Sequence, residues 1–140
     1  MTPVYRAPMR SRRDDIDPAM SVQRALAQGV CGMGEVTDPR AERRLERLAS
    51  APLEAFVWTR TPDGETYVGR LTGPLRYDAG GAEVDLVNVR DTDWIREPVD
   101  PVLVPAGVAH TFARGGRNFQ RMHTEGVEPQ TAALWERLTD

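Results

Sequence analysis

Ala55-Phe56-Val57-Trp58-Thr59-Arg60, then Thr61-Pro62-Asp63-Gly64-Glu65, then Thr66-Tyr67-Val68-Gly69-Arg70-Leu71, is the stretch that decides the fold class. Two runs rich in β-branched and aromatic residues flank a Pro-Asp-Gly turn, which is the pattern of a β-hairpin. Downstream, Leu75-Arg76-Tyr77 reads as a further short strand, and Val84 to Arg90 as a half-buried one. Val102-Leu103-Val104, closed by Pro101 and Pro105, reads as at most a short or edge strand. Asn118 to His123 reads as a last strand after the Arg114-Gly115-Gly116-Arg117 turn.

Upstream of the hairpin the period changes from two to 3.6. Asp17-Pro18 and Asp38-Pro39 each place an N-cap carboxylate before a proline at the first helical position, predicting helices over Ala19 to Gln28 and Arg40 to Ser50. The arginines of the second helix, Arg43, Arg44 and Arg47, alternate with Glu42 and Glu46 and read as an ordinary solvated face. Val4-Tyr5-Arg6-Ala7 is a candidate strand, and Arg10 to Asp15 a solvated loop. Gly29 to Val36 suits a buried strand whose glycines permit close backbone approach. From Glu128-Pro129 a terminal helix is expected to pack across one end of the sheet. With hairpins and no repeated βαβ unit, the expected fold is α+β: a small curled, mainly antiparallel sheet or barrel with two N-terminal helices and a C-terminal one.

The chain's 140 residues fit one domain and a core that needs no disulfide or metal. No run approaches the ~18 apolar residues of a membrane span, and Met1 to Asp17 lacks an apolar signal core. Cys31 is the only cysteine. A cytoplasmic protein without membrane contact is expected.

All 18 basic residues are arginines, set against 21 carboxylates for a net charge of -3. Residues 1–50 carry +2, 51–100 carry -5, and 101–140 are neutral. That acidic middle argues against a protein that coats DNA, so nucleic-acid contact would need a local basic face.

Catalytic motifs are scarce. There is no Gly-x-Ser-x-Gly elbow, and the two histidines lack helical metal spacing. Cys31, between Val30 and Gly32-Met33, reads as a small core hydrophobe rather than a nucleophile paired with His110. Asp91, Asp93, Glu97 and Asp100 read as solvated loop charges, and Gly32-Met33-Gly34 is too short for a dinucleotide fingerprint. The expectation is a non-enzymatic chain without cofactor or metal.

The more suggestive cluster runs from His110 to His123, where Arg114, Arg117 and Arg121 surround two glycines. Such a turn can aim guanidinium groups at phosphate or base edges, with His110 beside them. Among aromatics, Trp94 is the best candidate for a partly exposed stacking platform, with Trp58 and Tyr67 behind it.

Several segments taken together carry a resemblance: Gly29-Val30-Cys31-Gly32-Met33-Gly34; Phe56 to Arg60 with Tyr67-Val68-Gly69-Arg70-Leu71-Thr72-Gly73-Pro74-Leu75-Arg76-Tyr77-Asp78; and Asn88-Val89-Arg90 leading to Asp93-Trp94. In this order they resemble the N-terminal modules that accompany Mrr-type restriction endonucleases, which are similar to PUA and EVE domains. The resemblance covers residues 4–123 and leaves 124–140 as a terminal helix. It implies a non-catalytic module in a bacterial defence context that reads DNA or RNA, holding a modified or flipped base in an aromatic-lined pocket. A nuclease would then be a separate protein partner. Relatives commonly carry tryptophan where Met33 stands, so this chain departs from them at a pocket wall. The competing expectations are a protein-interaction adaptor on the same fold and, behind it, a binder of a nucleobase-like small molecule.

Overall fold

The computed structural model describes all 140 residues. Six strands form one open sheet: β1 (Val4–Arg6), β2 (Val30–Met33), β3 (Phe56–Arg60), β4 (Thr66–Tyr77), β5 (Asn88–Trp94) and β6 (Gln120–Arg121). Their spatial order is β2-β5-β4-β3-β1-β6, with every pair antiparallel except β1 with β3. The sheet is open rather than closed into a barrel, with β2 and β6 at its edges.

The expected hairpin is β3–β4, in register from Phe56 opposite Arg70 to Arg60 opposite Thr66. Leu75 to Tyr77 is not a separate strand but the continuation of β4. The ladder with β5 slips between Leu71 and Leu75, and Pro74, which has no N–H to donate, sits in that irregular stretch. The strand expected over Val84 to Arg90 begins later, at Asn88, because Asp78 caps a 3-10 helix over Ala79–Val84 and Asp85 turns left-handed after it.

Helices cover both faces, which is why β1 is buried at every residue. On one face α1 (Pro18–Gln28) and α2 (Pro39–Ser50) bring Ala25 and Leu48 against Tyr5, Cys31, Val57 and Val89. Both start as the Asp-Pro pairs predict: the Asp17 carboxylate accepts from the Ala19 N–H at 2.9 Å and Asp38 from Ala41 at 2.8 Å. On the other face α3 (Ala106–Ala113) and α4 (Val127–Thr139) bring Val108, Leu134 and Trp135 against Val4, Phe56 and Trp58. Thus α4 lies on the sheet face, not across its end, and belongs to the same packed unit as residues 4–123. No helix is long and apolar enough to cross a membrane.

α3 is absent from the sequence reading. Residues 102–104, read as an edge strand, belong instead to a 3-10 turn (Pro101–Leu103) and its exit, because the Asp100 carboxylate accepts from the Val102 N–H. The strand expected from Asn118 to His123 shrinks to Gln120–Arg121, paired with Arg6 and Tyr5.

Arg90 ties these layers together. It is 2% exposed, and its guanidinium donates to Gly73 O at 2.8 Å in the irregular stretch of β4 and to Leu48 O at 3.0 Å and Ala51 O at the end of α2. Burial lowers its affinity for its proton, an effect that nearby Cys31 and Tyr5 oppose. The cation has no carboxylate partner and is held by carbonyl dipoles alone.

Candidate functional site

A cleft of about 460 Å³ opens where β2 ends and α2 begins. Four apolar side chains, Ala7, Met9, Met33 and Phe119, contribute to its walls, and Phe119 is stacked on Tyr5 with ring centroids 4.8 Å apart. Six arginines line it: Arg10, Arg12, Arg13, Arg40, Arg44 and Arg117. They come from the β1–α1 loop, from successive turns of α2, and from the segment after Gly115-Gly116.

Those arginines are largely uncompensated. The chain forms four ion pairs, and among the six only Arg13 takes part, with Asp15 at 2.7 Å. Arg12 donates to Asn118 Oδ1 at 2.6 Å and Arg117 to Ser11 O at 3.3 Å, neutral acceptors that leave the charges in place. Burial first, and then neighbouring Arg12, pushes the Arg44 guanidinium below its ordinary value, with Asp38 pulling the other way. Asp38 is itself committed to the α2 N-terminus, whose Ala41 N–H holds it below the usual carboxylate range. The result is a local basic face on a chain of net charge -3.

Within this basic cleft lies one buried carboxylate. Asp85 is 8% exposed, receives the Ser11 hydroxyl on Oδ2, and accepts from the Glu35 N–H on Oδ1 at 3.1 Å. An ionised carboxylate has about four lone-pair sites, so two donors leave capacity for more. Gly34 makes room for it, because a Cβ there would fall on the Asp85 carboxylate. Asn88 Nδ2 holds the Gly34 carbonyl at 2.8 Å, fixing the β2 exit.

Backbone strain concentrates here as well. Only three non-glycine residues have positive φ, and two of them, Met9 at 56° and Asp85 at 51°, line this cleft. Each costs on the order of 1 kcal/mol or more and persists where the surroundings over-determine it, which is commonest at binding sites.

The residues singled out in sequence divide sharply. Arg117 lines the cleft, and Met33 lies half-buried in its wall. Gly115 and Gly116, expected in a turn before the last strand, instead carry the chain out of the α3 C-cap at Arg114, with φ of 77° and 115° that favour glycine. Arg114 and Arg121 instead line a smaller cleft with His123, and Arg121 pairs with Glu128 at 3.0 Å. His110 is exposed on α3, lines neither cleft, and lies across the sheet from Cys31.

The tryptophans need correction. Trp94 is 9% exposed, and its indole N–H donates to Val30 O at 2.9 Å, so it is a core residue rather than an exposed platform. Trp58 is fully buried, and its N–H reaches Thr131 Oγ1 at 3.3 Å. Neither can stack on a ligand without dismantling a core. Tyr67 is half-buried outside the cleft; burial first, and then Glu65, Glu97 and Asp63, raises its hydroxyl pKa. Phe119, the aromatic residue that borders the cleft, is itself 5% exposed with its ring stacked on Tyr5, so it closes the cleft floor rather than offering a free face.

Cys31 is fully buried and its thiol is pushed up to about 12 by desolvation, the reverse of what a nucleophile requires. No three His, Cys, Asp or Glu side chains converge as a metal-binding group. No family model matches the chain, and a search of curated proteins finds no significant match.

Proposed function

We propose that this chain is a non-catalytic nucleic-acid recognition module that receives a single base, modified or flipped out of its stack, in the cleft at the end of β2. The observation that carries the reading is the pairing of an uncompensated arginine rim with a buried, strained Asp85 carboxylate in one cavity. A nucleotide matches both features. Its phosphate is an anion for planar guanidinium forks, and the amino or ring N–H groups of its base donate to a carboxylate. Half-buried Met33, backed by the core residues Met9 and Phe119, supplies the apolar surface against which a ring packs. The resemblance to PUA and EVE modules of Mrr-type proteins supports the same reading, with Met33 standing where those modules carry the tryptophan wall.

Fluorescence anisotropy against single- and double-stranded oligonucleotides carrying plain and modified bases, at two salt concentrations, tests this. Expected is saturable binding that prefers one base and keeps that preference when salt weakens the phosphate contacts. Absence of binding to every oligonucleotide at low salt would refute it.

A further inference from the structure

Two more concave surfaces follow on from the base cleft, the first beside it and the second beyond the first. One of about 620 Å³ shares Pro8 and Arg10 with it and adds Arg6, Arg60, Gly115 and Gly116. A third, of about 220 Å³, shares Arg6 with the second and adds Arg114, Arg121 and His123. Shared lining residues, Pro8 with Arg10 and then Arg6, link the three into a valley around the segment that leaves β1. Ten of the 18 arginines line it, against four carboxylates, Glu35, Asp38, Asp63 and Asp85.

In the outer part of the valley Arg121 is paired with Glu128, but Arg6, Arg60 and Arg114 have no carboxylate partner. Arg6 donates to Gly115 O at 2.8 Å and to Gln120 Oε1 at 3.1 Å, both neutral acceptors. Burial, and after it the neighbouring Arg114, lowers its pKa. Two guanidinium groups kept close without a carboxylate between them are what an anion would bridge. Arg60 and Arg10, which both line the middle cleft, likewise make no ion pair.

Building on the base-cleft reading, we propose that the ligand is a single strand several nucleotides long, whose sugar-phosphate backbone runs along this valley. One base enters the cleft at Asp85, and successive phosphates lie at Arg10 with Arg60 and at Arg6 with Arg114. One nucleotide would fill only the first cleft and leave the outer arginines without an anion. A duplex is a stiff convex rod, whereas these arginines lie on concave walls that an unpaired, flexible strand can follow.

Calorimetric titration of the intact chain with the four deoxynucleoside 5′-monophosphates and with mixed-base single strands of about three, five and eight nucleotides tests this. Affinity is expected to rise at least about tenfold from monophosphate to pentamer and then level off. With about three phosphates engaged, log affinity for the pentamer should fall with log salt at a slope of about -2. The Arg60→Gln/Arg114→Gln variant should bind the pentamer about tenfold more weakly and the monophosphates unchanged, each lost charge contact being worth about a factor of three or more. Equal affinity for monophosphate and pentamer would overturn the strand proposal while leaving the base cleft standing. So would tighter binding of the matched duplex than of the single strand. Failure of monophosphates and strands alike would remove the base-cleft reading itself.

Discussion

Replacing Arg90 by methionine is expected to lower the unfolding free energy by about 3–5 kcal/mol, a large part of the ~5–15 kcal/mol that holds a domain together. The buried guanidinium satisfies Gly73 O, Leu48 O and Ala51 O. Replacing a buried polar pair by apolar groups can be neutral when both partners go, but backbone carbonyls cannot be mutated away. Three acceptors would stay buried, each costing about 1–3 kcal/mol less whatever relaxation and water recover. Arg90→Lys keeps the charge but lacks the fork that reaches both α2 and β4, so an intermediate loss is expected. Urea unfolding followed by tryptophan fluorescence measures both. A methionine variant within 1 kcal/mol of the parent, allowing about that for surface changes, would show that Arg90 does not tie the layers.

The second large effect is on binding. Arg12→Gln/Arg44→Gln/Arg117→Gln should weaken oligonucleotide binding by at least about a hundredfold, since each charge-assisted contact contributes about 1 kcal/mol or more. Stability should stay level or rise. None of the three forms an ion pair, and Arg44 is held below its ordinary value partly by Arg12. Removing them relieves like-charge crowding at little structural cost. A variant that binds as well as the parent would place the ligand elsewhere, and one that unfolds would make these arginines structural.

Much of the fold was legible where local chemistry and tertiary packing agree. The two Asp-Pro pairs mark α1 and α2 because the cap is a local hydrogen bond. The β3–β4 hairpin is legible for the same reason. α3 is not, because Pro105 offers no side-chain cap and Gly107, Val108 and Thr111 are weak helix formers. It forms by burying Val108 against Val4 and Trp58, a contact with distant sequence.

Trp94 was misread although the signal was present. Asp91 and Asp93 are exposed while Thr92 and Trp94 are buried, the period-two alternation of a strand. Its parity puts Trp94 inward with Thr92. The cleft itself was the least legible part, because its pieces come from Met9, Met33, Arg44, Asp85 and Arg117, which no sequence window joins. Arg44 looked like one more solvated arginine of an alternating helix, and only the fold brings it near Arg12. Asp85 between Val84 and Leu86 offered a faint clue, a lone charge amid apolar residues, but its left-handed backbone and its Ser11 partner follow from tertiary structure.

The most direct test is a ¹⁵N–¹H NMR titration of the chain with the tightest-binding oligonucleotide. Expected are the largest shifts at the amides of Met33, Gly34, Glu35 and Asp85 and at the Arg12 and Arg117 segments, with Trp94 and Trp58 indoles unmoved because they stay within their cores. Shifts confined to the exposed Asp91 and Asp93 of β5 or to the exposed face of α4, with the amides around Asp85 unmoved, would contradict a base-binding cleft at the end of β2.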